Sequence, residues 1–212
     1  MKEAQLFTNS ELQLYNEVLD LLEDAYRRRG QYQRGDPSQE RTRDVFVLNF
    51  TKVVNDCRAI LLLARSGFYI QAGILARSTG DACNMMMHIT FEGDDATLVK
   101  QWLAGQGAKH WTIVRSLNSS LEPEHQLDTD AYEKSRRRMD DFVHGNYDAL
   151  KLYPAQAPAP TPLHASSFRE LTFWKHLLYL YLFSCLLVVE SIVPELEEKA
   201  KAYLDQLESM YG

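Results

Sequence analysis

Several signatures are missing from this chain, and each absence removes a class of function. No phosphate-cradling glycine loop, Gly-x-Gly-x-x-Gly dinucleotide fingerprint, His-Glu-x-x-His pair or strand–Ser–helix nucleophile turn occurs. Cysteine is scarce: Cys57, Cys83 and Cys185 are scattered, odd in number, and never form a Cys-x-x-Cys pair. That excludes a disulfide framework and argues against a zinc site, leaving reduced, buried thiols as the reading. No alternating strand pattern bounded by Asn-Gly or Asp-Gly turns is present. A surplus of basic residues is also lacking. The net charge is −6, which argues against a general nucleic-acid coat but allows local basic sites. Two such clusters exist, Arg27-Arg28-Arg29 with Arg34, and Arg136-Arg137-Arg138.

Long hydrophobic runs are limited too. The N-terminus, MKEAQLFTNSEL, has no hydrophobic signal region. The most apolar stretch is HLLYLYLFSCLLVVESIV, 176–193, whose uninterrupted apolar part lies between His176 and Glu190. That is shorter than the ~20 residues needed to span a bilayer, so a buried core helix of a cytoplasmic protein is expected, without a membrane partner.

What the chain does have is helical periodicity. A first helix is expected after Thr8-Asn9-Ser10 and runs to about Arg29, with Leu12, Tyr15, Val18, Leu19, Leu22 and Tyr26 as its apolar stripe. A second starts at Asp36-Pro37-Ser38-Gln39, where Asp36 caps, Pro37 enters the first turn and Gln39 completes a capping box. Its stripe is Phe46, Phe50, Val53, Cys57, Ile60, Leu61 and Ala64, and Gly67 stops it. The third, about 69–91, carries Ile70, Ile74, Ala82, Met85, Met86 and Ile89. A fourth spans about 96–118, weakened in the middle by Gly105 and Gly107. A fifth runs from about Thr129 to His144, capped by Asp128 or Asp130 and ended by Gly145. Pro154, Pro158, Pro160 and Pro162 make about 146–166 an extended loop. The sixth helix runs from Ser166 or Ser167 to Val193, and a charged helix over about 195–210 follows it. The reading is all-α: one helical bundle of about six to seven helices over 1–212.

The candidate chemistry lies in RRRMDDFVHGNY, 136–147. On an ideal helix Tyr132, Met139 and Val143 form the core stripe, with His144 at its flank. Arg137 falls within about 20° of His144, and Glu133 and Asp140 share that flank, whereas Arg138 lies on the opposite side. RNA carries its own nucleophile, the 2′-hydroxyl. A histidine can take that proton, and an arginine can hold the phosphate with paired donors. The other reading makes His144 a helix-end histidine satisfied by a carbonyl or the helix dipole. Arg77 and Asp81, four apart on a mostly apolar helix, are either a structural ion pair or a contribution to the same site. His88 beside Met85-Met86-Met87 reads as packed or at a helix end. Glu122-Pro123-Glu124-His125 has a di-iron-like spacing, but it lies in a proline-bearing loop without a second copy, so no metal cage is read.

The run from Arg137 or Arg138 to His144 resembles the signature of the HEPN superfamily, an Arg followed four to six residues later by a His. That resemblance implies a compact helical domain, often dimeric, of a kind found in bacterial toxins and phage-defence systems. It implies metal-independent RNA cleavage without a cofactor, through Arg and His facing across a homodimer interface, and a cyclic-phosphate product. His144 would be the base, Arg137 or Arg138 the phosphate holder, and Asp140 or Asp141 would tune the histidine. Members paired with a nucleotidyltransferase carry His-x-Tyr as a modification site; here His144-Gly145-Asn146-Tyr147 places Tyr147 one residue further on. The stretch 58–91, with Arg77 and Asp81, and the run Phe142-Val143-His144-Gly145 are also similar to a bacterial helical family of unknown function. The expected partners are RNA, a second copy, and a protein such as an antitoxin or nucleotidyltransferase. A non-catalytic helical interaction module is the alternative reading.

Overall fold

The computed structural model describes residues 7–29, 37–66, 68–91 and 168–211. Between them it describes 100–102, 104–105, 113–115, 118, 130, 133–134, 136–137 and 140. The described residues form an all-α bundle without strands. Its long helices are α1 (Asn9–Arg29), α2 (Pro37–Arg65), α3 (Tyr69–Phe91), α4 (Phe168–Ile192) and α5 (Glu197–Tyr211). A 3-10 turn, Pro194–Leu196, joins the last two, because proline opens a new turn more readily than it continues an old one.

The sequence stripes explain most of the packing. All seven stripe residues expected on α2, from Phe46 to Ala64, are buried. On α1, Tyr15, Val18, Leu19 and Leu22 are buried, but Tyr26 is 45% exposed and Ala25 takes the inward position. On α3, Ala82, Met85 and Met86 are buried while Ile74 is exposed. There the inward stripe is Ala72, Ala76, Thr79, Cys83 and Met86, recurring at steps of three and four, and Ile74 falls between its turns. Gly105 corrects the expected fourth helix. Its φ of +70° lies in the left-handed region, and residues 104–105 form a turn where a continuous helix was expected. Asp36, Gly67 and the proline-rich 146–166 lie outside the described residues.

Helices α2 and α3 form an antiparallel hairpin across Ser66–Phe68, tied by Asp56, which accepts from Lys52 at 2.5 Å and from Thr79 at 2.9 Å. The apolar segment Lys175–Ile192 of α4 is long and apolar enough to cross a membrane by length and composition. Here it is the central helix of the bundle, contacting α1, α2, α3 and α5, with Leu178, Leu182, Cys185, Leu186 and Val189 fully buried. Tyr181 of α4 sets the approach of α3. Its hydroxyl donates to the Ala76 carbonyl at 2.7 Å and lies 3.0 Å from where a Cβ on Gly80 would sit. A side chain at position 80 would therefore push on an anchored ring. The three thiols, one each on α2, α3 and α4, are free and buried. Burial pushes Cys83 up to about 12 and holds Cys57 and Cys185 well above the ordinary thiol range, so they stay protonated and unreactive.

The two ends of the described chain are clasped by one carboxylate. Thr8 and Glu11 form a capping box at the start of α1: the Glu11 N–H donates to the Thr8 hydroxyl and the Thr8 N–H to the Glu11 carboxylate. The same carboxylate accepts from Lys175 of α4 at 2.7 and 2.9 Å and from the Tyr211 hydroxyl of α5 at 3.0 Å. Tyr211 also hydrogen-bonds Tyr15, whose ring lies parallel to its own. Burial alone would raise the Glu11 carboxyl; the bonds from Lys175, Thr8 and Tyr211 outweigh it and lower it.

A lowered native pKa stabilises the fold above the unfolded value, near 4.5 for this group, and the gain is lost as pH falls through the native value. Glu11→Gln is expected to cost about 2 kcal/mol at neutral pH and to flatten the decline in melting temperature below that point. Parallel acid limbs in wild type and Glu11→Gln would refute this role.

Candidate functional site

The hairpin helix α3 carries a second charged assembly, on the residues that directly follow the two that Tyr181 contacts. Arg77 and Asp81 are one turn apart, and their guanidinium and carboxylate meet at 2.5 Å. Arg77 also donates through Nε to Asp140 at 2.5 Å, and Arg136 donates through Nη1 to the other Asp81 oxygen at 2.8 Å. Partners descend from 81 to 77 as the facing residues rise from 136 to 140. The 136–140 segment therefore runs antiparallel to α3, matched one turn to one turn. Arg136, Arg137 and Asp140 are helical, as the fifth expected helix requires.

Exposure orders the four groups. The side chains of Arg77 and Arg136 are 18% and 15% exposed, while Asp81 and Asp140 are 48% and 38% exposed. The cations sit inward and the carboxylates face the water. Burial alone would lower the Arg77 guanidinium; hydrogen bonds and charge from Asp140 and Asp81 outweigh it and raise it above its ordinary value. Among the described residues the assembly comprises two positive and two negative groups.

Of the residues singled out from sequence, Arg77, Asp81 and Asp140 come together here. Arg137 does not join them: it is 76% exposed and pairs with Glu133 one turn back. His144, Arg138, Asp141 and Tyr147 lie outside the described residues. Arg136 was missed, because the arginine triplet was read only for its angle to His144. Its signal is present, since Arg136 and Asp140 are four apart and share a face.

His88 is the other unexpected residue. It lies two turns beyond Asp81 on α3, is 3% exposed, and both ring nitrogens are buried without a hydrogen-bond partner among the described residues. Among the described residues, no group of three or more His, Cys, Asp or Glu is placed to hold a metal ion.

An unsatisfied buried polar atom costs about 1–3 kcal/mol. His88→Leu is therefore expected to raise the melting temperature by about 2–4 °C, read by thermal unfolding. A fall in melting temperature would mean that the imidazole has a stabilising partner.

Comparison with family models, with curated proteins and with solved structures finds no match to this chain.

Proposed function

We propose that this chain is a HEPN-like helical protein that binds and cleaves RNA without a metal, as a cytoplasmic homodimer in a bacterial toxin or phage-defence system. One observation supports the reading most. Arg77 ties Asp140 to α3 while Arg137, on the same segment, stays outward in solvent. The anchor holds Asp140, four residues before His144 in the chain, on α3, and Arg137, paired with Glu133 at the surface, faces the water from which a phosphodiester would arrive.

In this reading His144 takes the 2′-hydroxyl proton and the oxygen attacks the adjacent phosphorus. The 5′-oxygen of the next nucleotide leaves with a proton, and a 2′,3′-cyclic phosphate remains. Arg137 or Arg138 offsets the charge that builds on the phosphate. The nucleophile belongs to the substrate, so no metal-bound water is needed. Asp140, already held by Arg77, is a positioning residue for the segment, and Asp141 is the acid left to orient the histidine.

A second reading, a non-catalytic helical interaction module, is favoured by the mutual pairing of Arg77, Asp81, Arg136 and Asp140. Four groups that neutralise one another suffice to hold helices together and need no ligand.

The two readings separate when purified protein meets a mixed RNA pool in EDTA. The nuclease reading expects fragments with cyclic-phosphate ends, and a loss of about 10²–10⁴-fold in His144→Ala. Equal cleavage by His144→Ala would remove the histidine from the mechanism. No cleavage by folded wild type would leave the interaction module as the account.

A further inference from the structure

We propose that Arg77 and Arg136 form a two-guanidinium cradle for a phosphodiester, closed in this structure by Asp81 acting as an internal stand-in for the phosphate. The ligand class rests on the RNA reading above; the cradle itself rests on geometry.

Each Asp81 oxygen is taken by a different guanidinium, Oδ2 by Arg77 and Oδ1 by Arg136. Two non-bridging oxygens of a phosphodiester present the same kind of anion, one oxygen to each arginine, and guanidinium donors suit phosphate as well as carboxylate. Two cations sharing one carboxylate make a pairing that a second anion can contest.

The order of exposure gives the direction of exchange. Both guanidinium side chains are less than one-fifth exposed, whereas Asp81 is about half exposed. An anion arriving from solvent meets Asp81 first, and the carboxylate turns outward into water more cheaply than either arginine leaves its place. Arg77 keeps its Nε on Asp140 throughout, so its guanidinium stays aimed while Nη1 is released. The cradle is thus ordered before the ligand arrives, which lowers the entropy cost of binding. With Asp81 withdrawn, the described groups at the site are two cations and one carboxylate, a balance that favours a phosphate. Arg137, on the next residue of the same segment, is largely exposed and paired with Glu133, a surface pairing that a further phosphate of a polymer can contest in the same way. This arrangement reconciles a net charge of −6 with binding of an anionic strand: the basic groups are present but internally occupied.

The test measures binding, in His144→Ala protein so that cleavage does not intrude. Fluorescence anisotropy follows a labelled single-stranded RNA oligonucleotide over a salt series. Asp81→Asn keeps the side chain's size and removes its charge. Affinity is expected to rise about tenfold, with a steeper salt dependence by roughly 0.7 for one additional phosphate contact. Adding Arg136→Gln should abolish the gain. Displacement of the RNA by millimolar inorganic phosphate shows that a lone phosphate suffices. A gain that phosphate does not reverse shows that the polymer is required; both outcomes support the cradle. Unchanged or weaker RNA binding by Asp81→Asn, with a normal melting curve, overturns it. Should Asp81→Asn not fold, Arg136→Gln alone carries the test: a loss of about tenfold supports the cradle and unchanged affinity overturns it. A gain in binding without RNA cleavage by the wild type would sink the nuclease reading while leaving the anion site intact.

Discussion

A guanidinium drawn into an apolar helix face must be neutralised where it stands, and Arg77 imposes that condition on its surroundings. Most of α3 is committed to hydrocarbon packing against α2 and α4. Arg77 lies at the margin of that packing, and its charge is met by Asp81 on its own helix and by Asp140 from a segment more than sixty residues away. An unpaired charge at such a depth is expensive, so the second carboxylate is required as much as attracted. The docking of 136–140 on α3 follows from that requirement, and Arg136 joins because its spacing to Asp140 matches that of Asp81 to Arg77.

The remainder of the bundle supplies the rigid frame that makes this pairing specific. Tyr181 brings α4 against α3 where glycine leaves room, one residue before Asp81, and anchors itself on the Ala76 carbonyl, one residue before Arg77. The backbone that carries both charged residues is thereby held at the residue before each of them. Nearer the start of α4, Lys175 donates to Glu11, which also accepts from Tyr211, so one helix is fastened near its start to α1, through it to α5, and along its middle to α3. The hydrophobic effect favours the collapse of these helices, while the polar anchors choose their register.

Much of the helical layout was legible in the chain itself. The α2 stripe read correctly because seven apolar residues recur at helical steps with few competitors. The start of α3 at Tyr69 agrees with the reading of Gly67 as a stop for the helix before it. Tyr26 and Ile74 misled because α1 and α3 each offer small residues as inward alternatives. Ala25, Ala72 and Ala76 allow close helix contact that a larger side chain would prevent. Gly105 was recognised as a weakness, but its left-handed φ is a property of the folded backbone that spacing does not encode. For the site, the Arg77–Asp81 pair was visible as an i,i+4 spacing. Its partners Arg136 and Asp140 depend on which distant helix packs opposite, and that is a tertiary fact. The orphaned nitrogens of His88 likewise follow from what surrounds them and not from the residue type.

Both functional readings share one physical premise, that the segment leading to His144 is held on α3 by the Arg77–Asp140 contact. A double-mutant cycle in thermal or denaturant unfolding, built from Arg77→Gln, Asp140→Asn and the pair together, measures that premise directly. A coupling of about 1 kcal/mol or more is predicted, since residues in one charged network fail to add by 0.5–3 kcal/mol. Single-mutant effects that add to within about 0.3 kcal/mol would contradict it and detach the segment from α3.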